Sequence, residues 1–278
     1  MKLVISLMLL AFSQARVIET DCDVVTIHNI NHEKQVLLKN INGPYQMTID
    51  YDTNTLFFSY TAEGETNDIF KSGYINLKTN EYNTITGIAG GFASAVDKHS
   101  QKVYLGGRDG VYEFNAATHK ANHIEKDGKN IWHMFYSDKL YYTDYPNENV
   151  YTFKDGVSAL LPELQDTKAL LIATDGKDNL YFKNSSGLFC YKKAKGETVF
   201  LGDYNLNSLT ADINNNLYFS TPQGFYNIDE NQVVNKLADV SDVYGLVVES
   251  DNNLIYSSSN SIIRLTPTKK ICITAKNV

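Results

Sequence analysis

Several things are scarce in this sequence of 278 residues, and each scarcity excludes a class of protein. Positive charge is short: 25 Lys and Arg stand against 32 Asp and Glu, a formal net charge of -7, and no local basic cluster offsets it. A face for nucleic acid or for an anionic membrane needs such a cluster, so both partners are excluded. Long apolar runs are missing apart from one near the N-terminus, and ten residues cannot span ~30 Å of hydrocarbon. G-x-S-x-G, H-E-x-x-H and the phosphate-binding Gly-rich loop are all missing. The six histidines are scattered, which gives no spacing for a metal centre.

That one apolar run lies in "MKLVISLMLLAFSQAR": Lys2, an apolar stretch from Leu3 to Phe12, then the small residues Ser13 and Ala15. This is the pattern of a secretory leader. It predicts a leader over residues 1–15 and one exported domain over 16–278. Only three cysteines occur, Cys22, Cys190 and Cys272. An oxidising compartment favours pairing, and if the two ends of the chain meet, Cys22 and Cys272 form the bridge. Cys190, inside "GLFCYK", is then left as a small buried hydrophobe. Asn184, in "NSS", is the one glycosylation sequon.

What is abundant is tyrosine and phenylalanine, 19 and 13 residues, which favour strands. The chain also repeats itself. "DYDTNTLFFS" from Asp50, "DKHSQKVYLG" from Asp97, "DGKDNLYFKN" from Asp175, "DINNNLYFST" from Asp212 and "ESDNNLIYSS" from Glu249 say nearly the same thing. Aligned on the first apolar residue after each turn, Leu56, Val103, Leu140, Leu180, Leu217 and Leu254 mark six copies about 40 residues apart. Each copy has room for four short strands. The expectation is therefore an all-β, six-bladed β-propeller closed near its termini, with the Asp and Asn residues acting as turn formers. "DVVTIHN", "KQVLLKN" and "KKICITAK" lie outside the inner copies and supply the closing strands.

In such a ring the inner strands line a central tunnel, and the loops before them gather at one mouth. By register the inner strands begin at Tyr45, Phe92, Trp132, Leu170, Asn207 and Tyr244, four of them aromatic. Loops of the same face add Arg108, Asp144, Tyr145 and the insertion "TAEGETND", and His133 follows the only tryptophan. Two readings stay open. The aromatics plug the tunnel, as large side chains fill narrow β interiors. Alternatively they form a stacking surface for a flat, partly charged ligand, with Arg108, His133 and Asp144 fixing its orientation.

The "D…NLYF" repeats behind the leader, with "NGPYQMTIDYDTNTLFFSY" at 42–60, resemble the ommochrome-binding proteins of lepidopteran haemolymph. More distantly they resemble propellers of the gluconolactonase and regucalcin kind. The first resemblance implies a secreted, monomeric protein that carries a phenoxazinone pigment noncovalently, without catalysis and with no cofactor beyond the pigment. Tyr45, Phe92, Trp132 and Tyr244 would enclose the ring system, Arg108 would pair a carboxylate, and Asp144 or His133 would meet an amine or the ring edge. The second implies a metal-dependent lactonase or esterase. The inner-strand starts offer that chemistry Asn207 but no Asp or Glu, where a hard cation needs several anionic oxygens.

Overall fold

The computed structural model describes residues 23–64 and 69–270. They form five four-stranded sheets and one five-stranded sheet, all antiparallel. The chain begins with a hairpin, β1 (Val24–Ile27) and β2 (Ile30–Lys39), that belongs to the last blade. Blade one is β3 (Tyr45–Asp50), β4 (Thr55–Ala62), β5 (Ile69–Asn76) and β6 (Tyr82–Thr84). Blade two is β7 (Ala93–Asp97), β8 (Lys102–Gly106), β9 (Val111–Asn115) and β10 (Lys120–Glu125). Blade three is β11 (Ile131–Tyr136), β12 (Leu140–Asp144), β13 (Val150–Lys154) and β14 (Val157–Leu160). Blade four is β15 (Leu171–Thr174), β16 (Leu180–Asn184), β17 (Gly187–Lys192) and β18 (Glu197–Gly202). Blade five is β19 (Ser208–Ala211), β20 (Leu217–Thr221), β21 (Gly224–Ile228) and β22 (Val234–Asp239). Blade six is β23 (Gly245–Val248), β24 (Leu254–Ser257) and β25 (Ser261–Pro267), completed by β2 and then β1. The inner strands β3, β7, β11, β15, β19 and β23 neighbour one another in a closed ring, so the protein is a six-bladed β-propeller.

The second strand of each blade is apolar on both faces because it is covered on both. Side chains alternate across a strand. On β4, Leu56, Phe58 and Tyr60 pack toward blade six and Phe57 toward blade two. On β16, Leu180 and Phe182 pack toward blade three and Tyr181 toward blade five. The core is thus six apolar clusters, one in each gap between neighbouring blades, and each fully buried Leu or Phe contributes about 1.5–3 kcal/mol of transfer free energy.

The repeated Asp is a turn device. Asp212 accepts the N–H groups of Asn214 and Asn216, both at 2.8 Å, and the Asn216 side chain at 2.8 Å. Asp175 does the same with Lys177 and Asn179, and Asp97 with His99 and Ser100. Five of the six turns, all but that of blade three, also hold one residue in the left-handed region: Asn54, Gln101, Asp178, Asn215 and Asn252. Asn and Asp adopt that geometry at least cost, which is why the bends are written in them. Blade six carries Glu249 in place of Asp, and its carboxylate grips Arg264 instead.

The ring closes through β2, which pairs with β25 from His32↔Pro267 to Lys39↔Ser261. The "KQVLLKN" segment is accordingly the fourth strand of the last blade, and "DVVTIHN" contributes the fifth. The leader at 1–15, Cys22, Cys272 and most of "KKICITAK" lie outside the described residues. Cys190 is buried and unbridged. Asn184 ends β16 at a hairpin, where its Oδ1 accepts the Ser186 N–H at 2.8 Å, leaving the amide nitrogen free of that bond.

Candidate binding site

A cavity of about 430 Å³ opens where the inner strands begin. Its wall is built by one repeated bond: the residue just before an inner strand donates its N–H to the second strand of the same blade. Phe92 bonds Gly106, Leu170 bonds Lys183, Asn207 bonds Ser220 and Tyr244 bonds Ser257, at 2.8–3.0 Å. This fixes the equivalent side chain of blades two, four, five and six at the same height around the mouth.

Blades one to three turn rings into that space. Tyr45, Phe92 and Trp132 line the cavity, with Phe70 from the start of β5 beside them. Centroids lie 6.0 Å apart for Tyr45–Phe92, 4.3 Å for Phe92–Trp132 and 4.4 Å for Phe70–Phe92. Tyr244 meets the edge of Tyr45 at 5.1 Å, and Tyr145, 47% exposed, covers Trp132 at 5.2 Å. The five aromatics read from the sequence therefore form one continuous belt. Phe70 was not visible there, because it stands on a third strand where no inner-strand register applies. Gly43 holds Tyr45 in place: its φ is +51°, and a Cβ there would sit 2.8 Å from the Tyr45 ring.

Trp132 owes its position to a β-bulge. The pairing of β11 with β12 shifts between Ile131 and His133, which leaves Trp132 as the extra residue aimed at the mouth. A matching shift between Tyr45 and Thr48 on β3 contains Gln46, at φ +46°, which lines both this cavity and a second one of about 420 Å³ lower in the tunnel.

Three polar candidates stand elsewhere than expected. His133, one residue past the bulge, points down the tunnel and lines the lower cavity. It is buried, its Nδ1 accepts the Ile172 N–H at 3.2 Å, and the ring also bonds the Leu209 backbone. Burial pushes its pKa down to about 4, so it is a neutral strut between blades and not a group presented to a ligand. Asp144 is buried, and its carboxylate is filled by the Asn149 N–H at 2.9 Å and the Asn147 side chain at 2.8 Å. It braces the "DYPNEN" turn. Arg108 is exposed on the loop between β8 and β9, its N–H bonded to Ala89 at 2.7 Å, and it is not part of the cavity wall.

Blades four and five give the opposite wall: Leu170, Leu171, Leu206, Asn207 and Lys183. Asn207 donates its side-chain N–H to the Val243 carbonyl at 2.6 Å, so its Oδ1 is the group left for a ligand. Thr61, from the "TAEGETND" insertion, also lines the space, whereas residues 65–68 of that insertion lie outside the described residues. The arrangement can stack a flat molecule and hold a few polar edges. It does not suit a hard cation. Among the described residues no three His, Cys, Asp or Glu side chains come together, and Asp50, Asp97, Asp175 and Asp212 bind their own turns.

The fold and site define a class: a six-bladed propeller with the architecture of the gluconolactonases and an aromatic cavity at the tunnel mouth. Among solved structures it is similar to a gluconolactonase from Xanthomonas campestris, with TM-score 0.70 and 13% identity over 90% of this chain and 97% of that one. It is also similar to streptogramin B lyase, with TM-score 0.56 and 12% identity over 85% and 97%. No family model matches the sequence. The ommochrome-binding protein of Manduca sexta is 37% identical over 255 residues, 89% of this chain and 92% of that one. The chain belongs to the ommochrome-binding protein family.

Proposed function

We propose that this protein is a secreted carrier that holds an ommochrome, a planar phenoxazinone pigment such as an ommatin, noncovalently in the aromatic cavity. The belt of Tyr244, Tyr45, Phe92, Trp132 and Tyr145, with Phe70 beside it, carries the reading. Phe92 is buried as the belt's packing centre, while the partly exposed rings of Tyr45, Trp132, Tyr244, Phe70 and Tyr145 around the hollow present surface to a flat guest, whereas a plug would fill the hollow. The relationship to a protein named for binding ommochromes supports the same ligand class. The protein acts as a monomer in haemolymph, without catalysis. The lactonase alternative draws on the fold alone, since the described residues supply no metal donor set.

The test is an absorbance spectrum of the full chain mixed with an extracted ommatin and freed of excess pigment, with the single tryptophan's fluorescence followed in the same titration. One pigment per chain with Trp132 quenched is the expected outcome. A colourless protein with unchanged fluorescence overturns it and directs attention to metal analysis and a lactone panel. Export behind a leader of residues 1–15 and a Cys22–Cys272 bridge are part of the proposal. Peptide mapping of the native protein without reductant reads both, together with any glycan on Asn184.

A further inference from the structure

We propose that Lys183 is the anion anchor of the aromatic cavity, so that the site selects planar aromatic ligands bearing a carboxylate over neutral ones of the same shape. This rests on the reading of the cavity as a pigment site and goes beyond it by assigning the ligand's charge and the residue that meets it.

Lys183 is the one member of the cavity wall with a full charge; the wall is otherwise aromatic, aliphatic or neutral polar. It sits on β16 opposite Leu171 of β15, and its carbonyl accepts the Leu170 N–H at 2.8 Å, so its place beside the mouth is fixed by the sheet. Neighbouring Phe182 faces the gap toward blade three, and the alternation sends Lys183 to the other face, toward Leu206 and Asn207 of blade five.

Many lysines in this acidic protein hold an oxygen. Lys34, Lys102, Lys129, Lys236 and Lys270 pair with carboxylates, and Lys168 bonds Asn147 and Asn149. Lys183 is half-buried, and among the described residues its ammonium makes no ion pair or side-chain hydrogen bond. A cation partly withdrawn from water without a partner is destabilising, and a ligand carboxylate relieves that cost with a charge-assisted hydrogen bond. The formal net charge of -7 repels anions from the molecule as a whole, so a local cation is what admits one. The rings stand on blades one to three and Lys183 stands across from them on blade four. A guest stacked on the half-buried rings of Tyr45 and Trp132 would therefore direct its substituents toward the ammonium. Arg108, the cation the sequence singles out, lies outside this wall.

The test uses two rings that share the aminophenoxazinone core and differ by two carboxylates: the neutral aminophenoxazinone and its dicarboxylic acid, cinnabarinic acid. Each is titrated against the full chain by Trp132 quenching, at low and at high salt. The wild type should prefer the diacid by about tenfold or more, the range expected for one hydrogen bond to a charged group, and salt should shrink that preference. Lys183→Met should abolish the preference by weakening the diacid more than the neutral ring, and an unchanged thermal unfolding midpoint reports that the variant is folded. Lys183→Arg should restore most of it. A preference that survives Lys183→Met, or a parallel loss for both rings, overturns the assignment. Equal binding of both rings by the wild type overturns the anchor alone, whereas binding of neither removes the pigment reading and the anchor with it.

Discussion

The ring of Phe92 lies 4.3 Å, centroid to centroid, from the indole of Trp132, at an interplanar angle of 35°. Phe92 precedes the inner strand of blade two and Trp132 is the bulged residue of blade three, so this contact carries the belt across a blade boundary. Trp132→Ala removes the largest stacking face of the cavity and should weaken pigment binding about tenfold, the effect of losing about 1.4 kcal/mol of aromatic contact. Trp132→Phe should lose less. Calorimetric titration of both variants checks the order.

Acid should destabilise the protein partly through His133. The imidazole is buried in neutral form with its pKa pushed down to about 4, below the ordinary value of 6.5. The unfolded chain takes up a proton first as pH falls, so this stabilisation is complete above pH ~6.5 and drains away as pH falls toward 4, a swing of about 3 kcal/mol. Urea unfolding at pH 7 and at pH 4.5 should show wild type losing more stability than His133→Gln over the same interval. Equal losses would contradict it.

How much of this was legible in the sequence depended on whether a residue's place follows from the repeat. The blades were readable because the turns of blades one, two, four and five use an Asp to collect loose N–H groups and a left-handed Asn or its equivalent, and both recur at similar spacing. Phe92 and Tyr244 were readable because one hydrogen bond sets the same height in blades two, four, five and six, and Tyr45 because it opens the inner strand of blade one. His133 was misassigned because side chains alternate, so the bulge that aims Trp132 at the mouth turns its neighbour away. Lys183 and Phe70 escaped because they reach the cavity from second and third strands, where position depends on how neighbouring blades pack.

The turn role of the repeated Asp predicts a graded loss. Asp212→Ala leaves two N–H groups and an amide without their acceptor, and should cost about 1–3 kcal/mol. Asp212→Asn retains an acceptor and should cost less. Thermal unfolding reads the difference as a fall in Tm of about 2–4 °C per kcal/mol in a chain of this size. The pigment affinity measured at low temperature should stay as in wild type.

Arg264 bonds Glu249 twice, at 2.6 and 2.7 Å, and extends to Gln35 on β2 at 3.2 Å and to the Leu77 carbonyl at 3.1 Å. The pair is largely shielded, with 14% and 13% of the two side chains exposed. Arg264→Met strands a carboxylate beside the seam, and removal of one partner of such a pair costs about 3–5 kcal/mol. The double change Arg264→Met with Glu249→Leu should recover part of that loss. Denaturant midpoints of the single and double variants measure it.

The pairing of β2 with β25 has a temporal side. The strand that completes the last blade is synthesised roughly 230 residues before its partner, so it leaves the ribosome with an unmet edge and waits while five blades form behind it. Its eventual docking turns an open arc into a ring. Circularity of this kind makes the two ends of the chain a single structural element: loss of β2 would leave blade six with an open outer edge, and the cavity's far wall would lose the closure that keeps its geometry fixed.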